Sequence, residues 1–236
     1  MEITTKIHQI PNATAQRLPI YYRSLKKLNE TGVERIKSKE LSQLTQIPSA
    51  TIRRDFSHFG ELGRSGYGYE VVYVTEVFRE LLNVNNIINV VLIGVGNLGT
   101  AILTNNFKKE KNITIKCAFD IQSPYLGKEI SGVPIFPMER MKELVRKQQI
   151  HTAICAVPSE VSQEVVDDLI DAGITSILNF APGRIKVPDA IQMKYIDFSS
   201  EIFTMVYQNE ALYPGNPPEK MIEINKLSDM LDNDRI

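Results

Sequence analysis

A short glycine-rich segment that follows a strongly apolar run constrains this 236-residue chain more than any other feature. Residues 90–93 are all apolar, which predicts a buried parallel strand, and Gly94-x-Gly96-x-x-Gly99 follows at once. In a strand–turn–helix of this kind, the first glycine makes the tight turn and the second lets a pyrophosphate approach the backbone. The third lets the helix pack closely on the strand. The segment therefore predicts a dinucleotide-binding turn.

The next predicted strand supplies the acid that such a turn requires. Residues 114–119 read as a strand that ends at Asp120, about twenty residues beyond the last glycine. A carboxylate at this place typically binds the ribose hydroxyls, and the helix that begins near Leu98 would direct its positive end at the phosphates. The alternative is a glycine-rich turn with a surface Asp. The predicted nucleotide-binding residues of this part are Gly94, Val95, Gly96, Asn97, Leu98, Gly99 and Asp120.

Strand and helix patterns alternate from residue 88 to residue 198. The predicted strands are 88–93, 114–119, 133–136, 152–157, 175–180 and about 192–197, and the predicted helices are 98–109, 138–148 and 160–172. This alternation predicts an α/β fold, a Rossmann-like parallel sheet with helices on its faces. Ligands of such sheets bind beyond the carboxyl ends of the strands. Two strands are followed there by residues that can line a pocket, namely Val157, Pro158, Asn179, Phe180 and Ala181.

The first 83 residues have a different pattern, with three predicted helices. Thr14 can cap a helix over 15–30, Ser38 a helix over 39–45, and Ser49 a helix over 50–58. The third helix carries Arg53 and Arg54. A short turn between the second and third helices predicts a helix-turn-helix, whose second helix enters the major groove of DNA.

A hairpin wing is predicted directly after the third helix. Gly60, Gly63, Gly66 and Gly68 punctuate this segment, with basic and aromatic residues between them. The predicted DNA-binding residues of the helix and wing are Ser49, Thr51, Arg53, Arg54, Ser57, Arg64, Ser65, Gly66 and Tyr67. The alternative is a small helical domain whose arginines are merely solvated and whose Ser49 and Thr51 only cap a helix.

Charge is divided unevenly along the chain. The first 70 residues carry 11 Lys and Arg against 7 Asp and Glu, and the remainder carries 16 against 21, for a net charge of −1. A basic N-terminal part beside an acidic remainder is consistent with a polyanionic partner for the first part. The alternative is an ordinary solvated surface of mixed charge.

Several classes of function find no support in the sequence. The apolar runs are too short to span a membrane, and no signal-peptide core begins the chain, so we expect a cytoplasmic protein. No Cys and His cluster has the spacing of a metal site. Cys117 and Cys155 lie within predicted strands, which favours buried, reduced thiols over a redox-active one. His8, His58 and His151 do not follow strand ends, so the proton relay of an oxidoreductase is missing.

We therefore expect four segments along the chain. Residues 1–83 would form a winged-helix DNA-binding domain and residues 84–198 a Rossmann NAD(H)-binding domain. Residues 199–212 have apolar positions at helical spacing and predict one more helix. Residues 213–236 begin with a proline-rich linker and form a tail of unknown order.

A set of motifs in this order resembles the Rex family, the redox-sensing transcriptional repressors of bacteria. The motifs are Ile10-Pro-x-Ala-Thr14, Arg17-Leu-Pro19, Tyr21-Tyr-Arg23, Ile52-Arg-Arg-Asp55, Phe59-Gly-x-x-Gly63, Gly66-x-Gly68-Tyr69, Gly94-x-Gly-Asn-Leu-Gly99, Phe119-Asp120, Ala156-Val-Pro158, Leu178-Asn-Phe-Ala-Pro182, and Asp197 with Glu201. They extend from about residue 10 to about residue 210. Together they are highly specific.

The resemblance implies a homodimer that binds palindromic double-stranded operator DNA and is released by NADH but not by NAD+. It implies that the helix over 199–212 is swapped beneath the partner's winged helix. Arg17 and Asp197 match positions that family members use for a contact between subunits. Family members usually carry a Tyr near the nicotinamide, where this chain has Asn105 and Asn106, so that switching contact is expected to differ.

A physical basis for preferring NADH follows from the predicted pocket. Val157, Pro158, Phe180 and Ala181 are apolar. The nicotinamide ring of NAD+ is a cation, whereas that of NADH is neutral, and burying an unpaired cation among apolar groups is costly. The ligand changes DNA affinity only if it binds one conformation of the protein better than another.

Three other functions remain open from the sequence. One is an NAD-dependent oxidoreductase with an N-terminal interaction domain. The second is a CoA-binding sheet protein, because Asn179-Phe-Ala-Pro182 is similar to a segment of CoA-ligase-like domains. The third is an oligomerisation module, which leaves the glycine turn and Asp120 unexplained.

Overall fold

The computed structural model describes residues 10–64, 66–105, 107, 110 and 112–208. Within the chain there are two compact units, one within residues 1–88 and 109–114 and the other within residues 89–108 and 115–236. The domain boundaries predicted at residues 83, 198 and 212 stay predictions.

The N-terminal unit is a winged helix-turn-helix, as the sequence predicted. Its elements are α1 (Asn12–Glu30), β1 (Arg35–Ile36), α2 (Ser38–Thr45), α3 (Ser49–Ser57), β2 (Gly63–Arg64), β3 (Gly68–Glu70) and α4 (Val71–Leu81). Helices α2 and α3 form the helix-turn-helix, with Gln46 in the left-handed conformation at the end of α2. Strands β2 and β3 pair as the antiparallel wing, and β1 pairs with the other edge of β3.

An aromatic cluster joins the helices of this unit. The rings of Tyr21, Phe56 and Phe78 come from α1, α3 and α4, and each is at most 2% exposed. Phe56 meets both other rings edge-on, with centroids 5.2 Å apart in each pair. Such contacts add about 0.5–1.5 kcal/mol to the apolar area that each ring buries. They hold α3 against the other two helices.

Three predicted helix caps in this unit are wrong. Helix α1 begins two residues before Thr14, whose buried hydroxyl donates to another helix instead. Ser38 and Ser49 are the first residues of α2 and α3, after Lys37 and Pro48. The Lys37 N–H donates to the Glu40 carboxylate (2.7 Å), so a capping contact forms one residue earlier than predicted.

The second unit is built on a seven-stranded sheet. Its elements are β4 (Ile88–Ile93), α5 (Asn97–Asn105), β5 (Ile113–Asp120), β6 (Glu129–Ile130), β7 (Val133–Pro137), a 3-10 turn (Met138–Arg140), α6 (Met141–Lys147), β8 (Thr152–Cys155), α7 (Ser159–Ala172), β9 (Ser176–Asn179), β10 (Gln192–Tyr195) and α8 (Phe198–Gln208). The strand order is β10-β9-β8-β4-β5-β7-β6. Strand β4 pairs in parallel with β8, β8 with β9, β9 with β10, and β5 with β7.

This order is the doubly wound arrangement of dinucleotide-binding folds. Along the chain, strands β4, β5 and β7 are laid toward one edge, and β8, β9 and β10 then start again beside β4 and continue toward the other edge. The direction of winding reverses between β4 and β8. A crevice opens at such a reversal, beyond the carboxyl ends of the two strands, and ligands of these sheets bind there.

Helices cover both faces of the sheet. Alternate strand residues point to opposite faces, so each strand contributes side chains to both helical layers. Ile93 on β4 packs in one cluster with Leu144 on α6 and Leu169 on α7. Leu92 points to the other face, where its Cδ2 would lie 3.3 Å from a Cβ built on Gly99 of α5. The parallel sheet is thus buried on both sides, as its apolar strands predicted.

Some predicted elements of this unit differ in extent. Of the helix predicted over 98–109, the structure describes Asn97–Asn105, and residues 106, 108 and 109 lie outside the described residues. The short antiparallel strand β6 was missed. The C-terminal helix begins at Phe198, and the predicted residues 209–212 and the tail 213–236 lie outside the described residues. Along the described part of the chain, no helix combines the length and the apolar character needed to cross a bilayer.

Candidate nucleotide cleft and nucleic-acid interface

Gly94 makes the turn that leaves β4. Its φ of +92° lies in the left-handed region that favours glycine, and its N–H donates to the Phe119 carbonyl on β5 (2.9 Å). A Cβ built on Gly94 would lie 2.5 Å from the Ala156 carbonyl, which follows β8. Two independent constraints therefore require glycine at the turn.

The other two glycines of the motif meet different surroundings. A Cβ on Gly99 would lie 1.9 Å from the Gly94 carbonyl oxygen, so the close approach of α5 depends on its absence. A Cβ on Gly96 would meet nothing within 4 Å. The open space at Gly96 is where the sequence placed a pyrophosphate. The roles predicted for Gly94 and Gly99 agree with this geometry, and the phosphate contact at Gly96 stays a prediction.

The first turn of α5 faces the same cleft. The helix begins at Asn97, with Leu98 38% exposed beside it, and the Thr100 N–H donates to the Gly96 carbonyl (2.9 Å). The first N–H groups of an α-helix have no partner within the helix, so they carry a partial positive charge that suits a phosphate.

Asp120 lies at the end of β5 with its carboxylate fixed beside the glycine turn. Oδ2 accepts from the Val95 N–H (2.6 Å), and Oδ1 accepts from the Gln122 N–H (2.8 Å). A carboxylate oxygen can accept more than one hydrogen bond, so this orientation leaves capacity for hydroxyl donors. The residues present therefore fit a dinucleotide, with room at Gly96 for its phosphates and a carboxylate for its adenosine ribose.

Val157 and Pro158 form the opposite wall, after β8. The Ala156 N–H donates to the Ile93 carbonyl (2.8 Å), which fixes this segment against the end of β4. The Val157 side chain packs partly on the sheet core and lies next to Gly94. Pro158 is exposed and precedes α7.

Asn179 has a role that its sequence position does not reveal. It is fully buried, its Nδ2 donates to the Ala181 carbonyl (3.0 Å), and its Oδ1 accepts from the Ala181 N–H (3.2 Å). Its amide therefore holds the turn that presents Phe180 and Ala181. The contact of Asn179 with the nucleotide stays a prediction.

The described histidine and the two cysteines of the second unit lie outside the cleft or are buried. His151 lies at the start of β8, at the opposite end of the strand from the glycine turn, with Nδ1 3.1 Å from the Gly173 carbonyl. Burial raises the pKa of the Cys117 thiol to about 12 and that of Cys155 to about 11, so both are protonated. Among the described residues, no three His, Cys, Asp or Glu side chains could hold a metal ion together.

The recognition helix α3 presents basic and polar side chains on its outer side. Arg53, Arg54 and Ser57 are exposed, whereas Ser49 and Thr51 are half-buried. Arg53 donates to the Ser38 hydroxyl (3.1 Å) at the start of α2. The predicted DNA-binding residues of α3 thus lie on one helix, but at different depths.

The wing and α3 enclose a cleft of about 570 Å3. Four cations from three segments line it, namely Lys37, Lys39, Arg53 and Arg64. Lys37 and Lys39 were not predicted, because their place beside α3 depends on how α2 and α3 fold together. Convergence of four cations is typical of a surface that contacts phosphates.

The tip of the wing is a tight turn. Gly66 has a φ of +82°, and the Tyr67 N–H donates to the Arg64 carbonyl (3.1 Å). The Tyr67 side chain is 73% exposed. Ser65 was predicted to bind DNA and lies outside the described residues.

Arg17 and Asp197, the predicted switch pair, each have hydrogen-bond partners within their own unit. Arg17 pairs with Asp55 on α3, with Nε 2.6 Å from Oδ2. Asp197 accepts hydrogen bonds from the Ser200 hydroxyl (2.7 Å) and from the Ser199 N–H (2.9 Å), and so caps α8. These bonds hold the pKa of Asp197 below its usual value. The contact of Arg17 with Asp197 between subunits stays a prediction.

Two family descriptions match the chain, one on each unit. A putative DNA-binding protein N-terminus matches residues 9–57, and a CoA binding domain matches residues 85–183. The first covers the helix-turn-helix, and the second covers the glycine turn and the strands on both sides of it.

Relatives and solved structures match nearly the whole chain. The redox-sensing transcriptional repressor Rex 2 of Enterococcus faecalis is 49% identical over 90% of this chain and 99% of its own length. The crystal structure of RSP with NAD+ and operator DNA superimposes with a TM-score of 0.80 at 31% identity, covering 92% of this chain and 97% of RSP. RSP with NADH gives a TM-score of 0.76 at 30% identity, over 86% and 95% of the two chains.

Identity at this level, over nine-tenths of the chain, is accompanied by agreement in both units of the fold. The curated relatives that match at this level are redox-sensing transcriptional repressors. The chain belongs to the Rex family of redox-sensing transcriptional repressors.

Proposed function

We propose that this protein is a homodimeric repressor that binds palindromic operator DNA through α3 and the wing, and leaves it when NADH occupies the cleft beyond β4. The open backbone at Gly96 beside the fixed Asp120 carboxylate is the observation that carries this proposal. RSP, a Rex-family repressor, has been crystallised with NAD+ and operator DNA and, separately, with NADH. A protein that reads both chromosomal DNA and the NADH pool would act in the cytoplasm.

Different residues of the proposed site would contact the phosphates, the ribose and the nicotinamide of the nucleotide. Gly96 and the first turn of α5, with Asn97 and Leu98, would receive the pyrophosphate. The Asp120 carboxylate would accept from the ribose hydroxyls, and its charge would disfavour a 2′-phosphate. NADH is therefore preferred over NADPH at this site.

The nicotinamide end would lie against the apolar wall formed by Val157, Pro158, Phe180 and Ala181. A neutral ring can be buried there without a partner, whereas the cationic ring of NAD+ loses solvation that this wall does not replace. Bound NADH supplies no chemical transformation in this role, since it acts as a regulatory ligand. The chain's part is to hold the reduced ring more tightly than the oxidised one.

On the DNA side, Arg53 and Arg54 would contact base edges or the adjacent phosphates in the major groove. Arg64, with Gly66 and Tyr67 at the wing tip, would contact the backbone or the minor groove. Ser49, Thr51 and Ser57 are shorter and would add contacts at the edges of this surface. Ser65 is proposed with the wing tip on its sequence position alone.

Helix α8 supports the homodimer. Phe198, Ile202, Phe203 and Met205 are each more than half exposed, at 57–72%. A helix that exposes four large apolar side chains on a single chain marks a protein interface. We place this helix beneath the winged helix of a second copy, as the family resemblance implies, and a two-fold dimer would require a palindromic site.

Titration of a labelled palindromic duplex, followed by electrophoretic mobility, tests the proposal. We expect tight binding without nucleotide and with NAD+, release by NADH, and little effect of NADPH at the same concentration. Equal binding of the duplex at saturating NADH and without nucleotide would overturn the proposal.

The match to a CoA binding domain makes CoA a second candidate ligand for the cleft. The two candidates differ in thermal unfolding, because a ligand of the native state raises the midpoint. Protection by NADH and not by CoA supports the redox function. Protection by CoA alone would select the second candidate.

A further inference from the structure

One carboxylate of the recognition helix is buried and accepts four hydrogen bonds. Asp55 on α3 is 0% exposed. Its Oδ1 accepts from the Thr14 hydroxyl (2.8 Å) and from Arg17 Nη2 (2.7 Å), and its Oδ2 accepts from Arg17 Nε (2.6 Å) and from the Tyr21 hydroxyl (2.6 Å). A buried ionised carboxylate is stable only when it is paired and hydrogen-bonded in this way.

All four bonds come from a single helix. Thr14, Arg17 and Tyr21 are three and then four residues apart on α1, so they lie along one face of it. Arg17 uses two nitrogens of its planar guanidinium on both carboxylate oxygens, which fixes direction as well as distance. The Tyr21 ring also meets Phe56 on α3 edge-on. The contact therefore restrains the rotation of α3 as well as its separation from α1.

The side of α3 that carries Asp55 determines which side faces outward. Successive residues of an α-helix are about 100° apart, so residues two positions from Asp55 lie nearly opposite to it. Arg53 and Ser57 are such residues, and both are exposed, as is Arg54. A rotation of α3 that relaxed the Asp55 contact would turn these side chains away from their present direction.

We propose that Asp55 is a positioning residue for DNA recognition: its carboxylate, clamped by α1, fixes the orientation in which α3 presents Arg53 and Arg54. The inference rests on the proposed function, because it takes α3 to be the helix that reads the operator. Asp55 itself is buried, so it would act on DNA binding only through α3. Hydrogen bonds from Arg17, Tyr21 and Thr14 outweigh the effect of burial and hold the pKa of Asp55 below its usual value, so the clamp is ionised at neutral pH.

A positioning role and a merely stabilising role differ in their effect on one ratio, the affinity for the operator divided by the affinity for unrelated DNA. Loss of stability lowers the folded fraction, so it weakens binding to operator and to unrelated DNA by the same factor. Loss of orientation weakens the base-specific contacts and leaves the charges of Arg53 and Arg54 available to phosphates. Non-specific binding depends on those charges and not on register.

Two variants test the clamp, and one serves as a control. Asp55→Asn keeps the shape of the side chain and removes its charge. Arg17→Lys keeps the charge of the partner but cannot make the two-nitrogen contact, so it decides the matter if the first variant folds poorly. Ile52→Val, at a fully buried position of α3 outside the clamp, weakens packing without altering any of the four bonds.

Binding to the operator and to a scrambled duplex of equal length is measured by fluorescence anisotropy at several salt concentrations. We expect both clamp variants to lose operator affinity by roughly tenfold or more, the size of losing one specific base contact. In both variants, affinity for the scrambled duplex should stay within about twofold with the same salt dependence, because the phosphate contacts are unchanged. NADH affinity should stay within about twofold in Asp55→Asn, which leaves Arg17 of the predicted switch pair in place. The Ile52→Val control should keep the ratio of the two affinities.

An unchanged ratio of operator to scrambled affinity in both clamp variants overturns the inference and leaves the proposed function standing. A wild-type protein that shows no preference for the operator overturns the proposed function instead. The clamp variants therefore test the inference, and the wild-type protein in the same experiment tests the proposed function.

Discussion

Alanine at two different glycines of the turn after β4 should affect two different properties, namely stability at Gly99 and nucleotide affinity at Gly96. Gly99→Ala places a Cβ 1.9 Å from the Gly94 carbonyl oxygen, and neither backbone can move without separating α5 from the sheet. We expect the free energy of unfolding to fall by about 1–3 kcal/mol or more. Gly96→Ala meets nothing within 4 Å, so stability should change by less than about 1 kcal/mol, while the added methyl group blocks the approach of the pyrophosphate.

Thermal unfolding and NADH titration by fluorescence measure these two effects separately. For Gly96→Ala we expect an unchanged midpoint and a loss of NADH affinity of about tenfold or more, because a change of 1.4 kcal/mol is already tenfold. Wild-type affinity in a stable Gly96→Ala protein would show that the phosphates lie elsewhere.

Asp55 should make the stability of the N-terminal unit depend on pH in acid. Its folded pKa is held below the ordinary value of 3.8 by hydrogen bonds from Arg17, Tyr21 and Thr14, which exceed the opposing effect of burial. A group whose folded pKa is lowered stabilises the fold fully above its unfolded pKa, and that stabilisation is lost as the pH falls through the folded pKa. We therefore expect stability to fall below about pH 4.

Denaturant unfolding of the wild type and of Asp55→Asn from pH 7 to pH 2 measures this contribution. The variant should be less stable by about 3 kcal/mol at pH 7, where the wild-type carboxylate is ionised and paired. The difference between the two proteins should shrink as the pH falls through the pKa of Asp55. A difference that stays constant down to pH 2 would mean that this carboxylate does not titrate with folding.

At the scale of secondary-structure elements, the sequence predicted what depends on nearby residues and missed what depends on distant ones. The structural roles of Gly94 and Gly99 and the apolar strands were predicted because the motif and its spacing are local. Thr14 was interpreted as a helix cap because it precedes an amphipathic run. Its hydroxyl instead donates to Asp55, which is 41 residues away and could not be identified from the local pattern. Strand β6 was missed because two residues in a hairpin carry no periodicity.

The same limit applies to the site. Arg53 and Arg64 were predicted separately, but their gathering with Lys37 and Lys39 in one cleft depends on how α2, α3 and the wing fold together. Asn179 looked like a ligand because it follows a strand. Only its bonds to the Ala181 backbone show that the turn uses its amide.

Helix α8 carries a prediction about assembly. Phe203 is 72% exposed, so Phe203→Lys should leave the folding of a single chain nearly unchanged. A lysine buried in the proposed dimer interface would lack a partner, and burying an unpaired charge is costly. We expect the variant to sediment as a monomer and to lose its operator affinity. Glu164→Lys, at an exposed position of α7, is the matched control and should remain dimeric.

At the scale of the whole molecule, the two proposed binding activities must influence each other equally. If NADH lowers the affinity for operator DNA by a given factor, operator DNA must lower the affinity for NADH by the same factor, because the two bound states form one thermodynamic cycle. The coupling has to act between the glycine-turn cleft of one unit and α3 of the other. A conformational equilibrium that both ligands bias is sufficient for this.

NADH titration by fluorescence, with and without a saturating operator duplex, measures the second side of this cycle. We expect the operator to weaken NADH binding by about 5–150-fold, the range of typical allosteric coupling, and to match the factor by which NADH weakens operator binding. NAD+ should show a smaller factor, because the proposed apolar wall separates the two oxidation states. A scrambled duplex should have little effect, since it engages phosphates without fixing α3. NADH binding that is identical with and without operator would break the cycle and leave the cleft and the recognition helix as two independent sites.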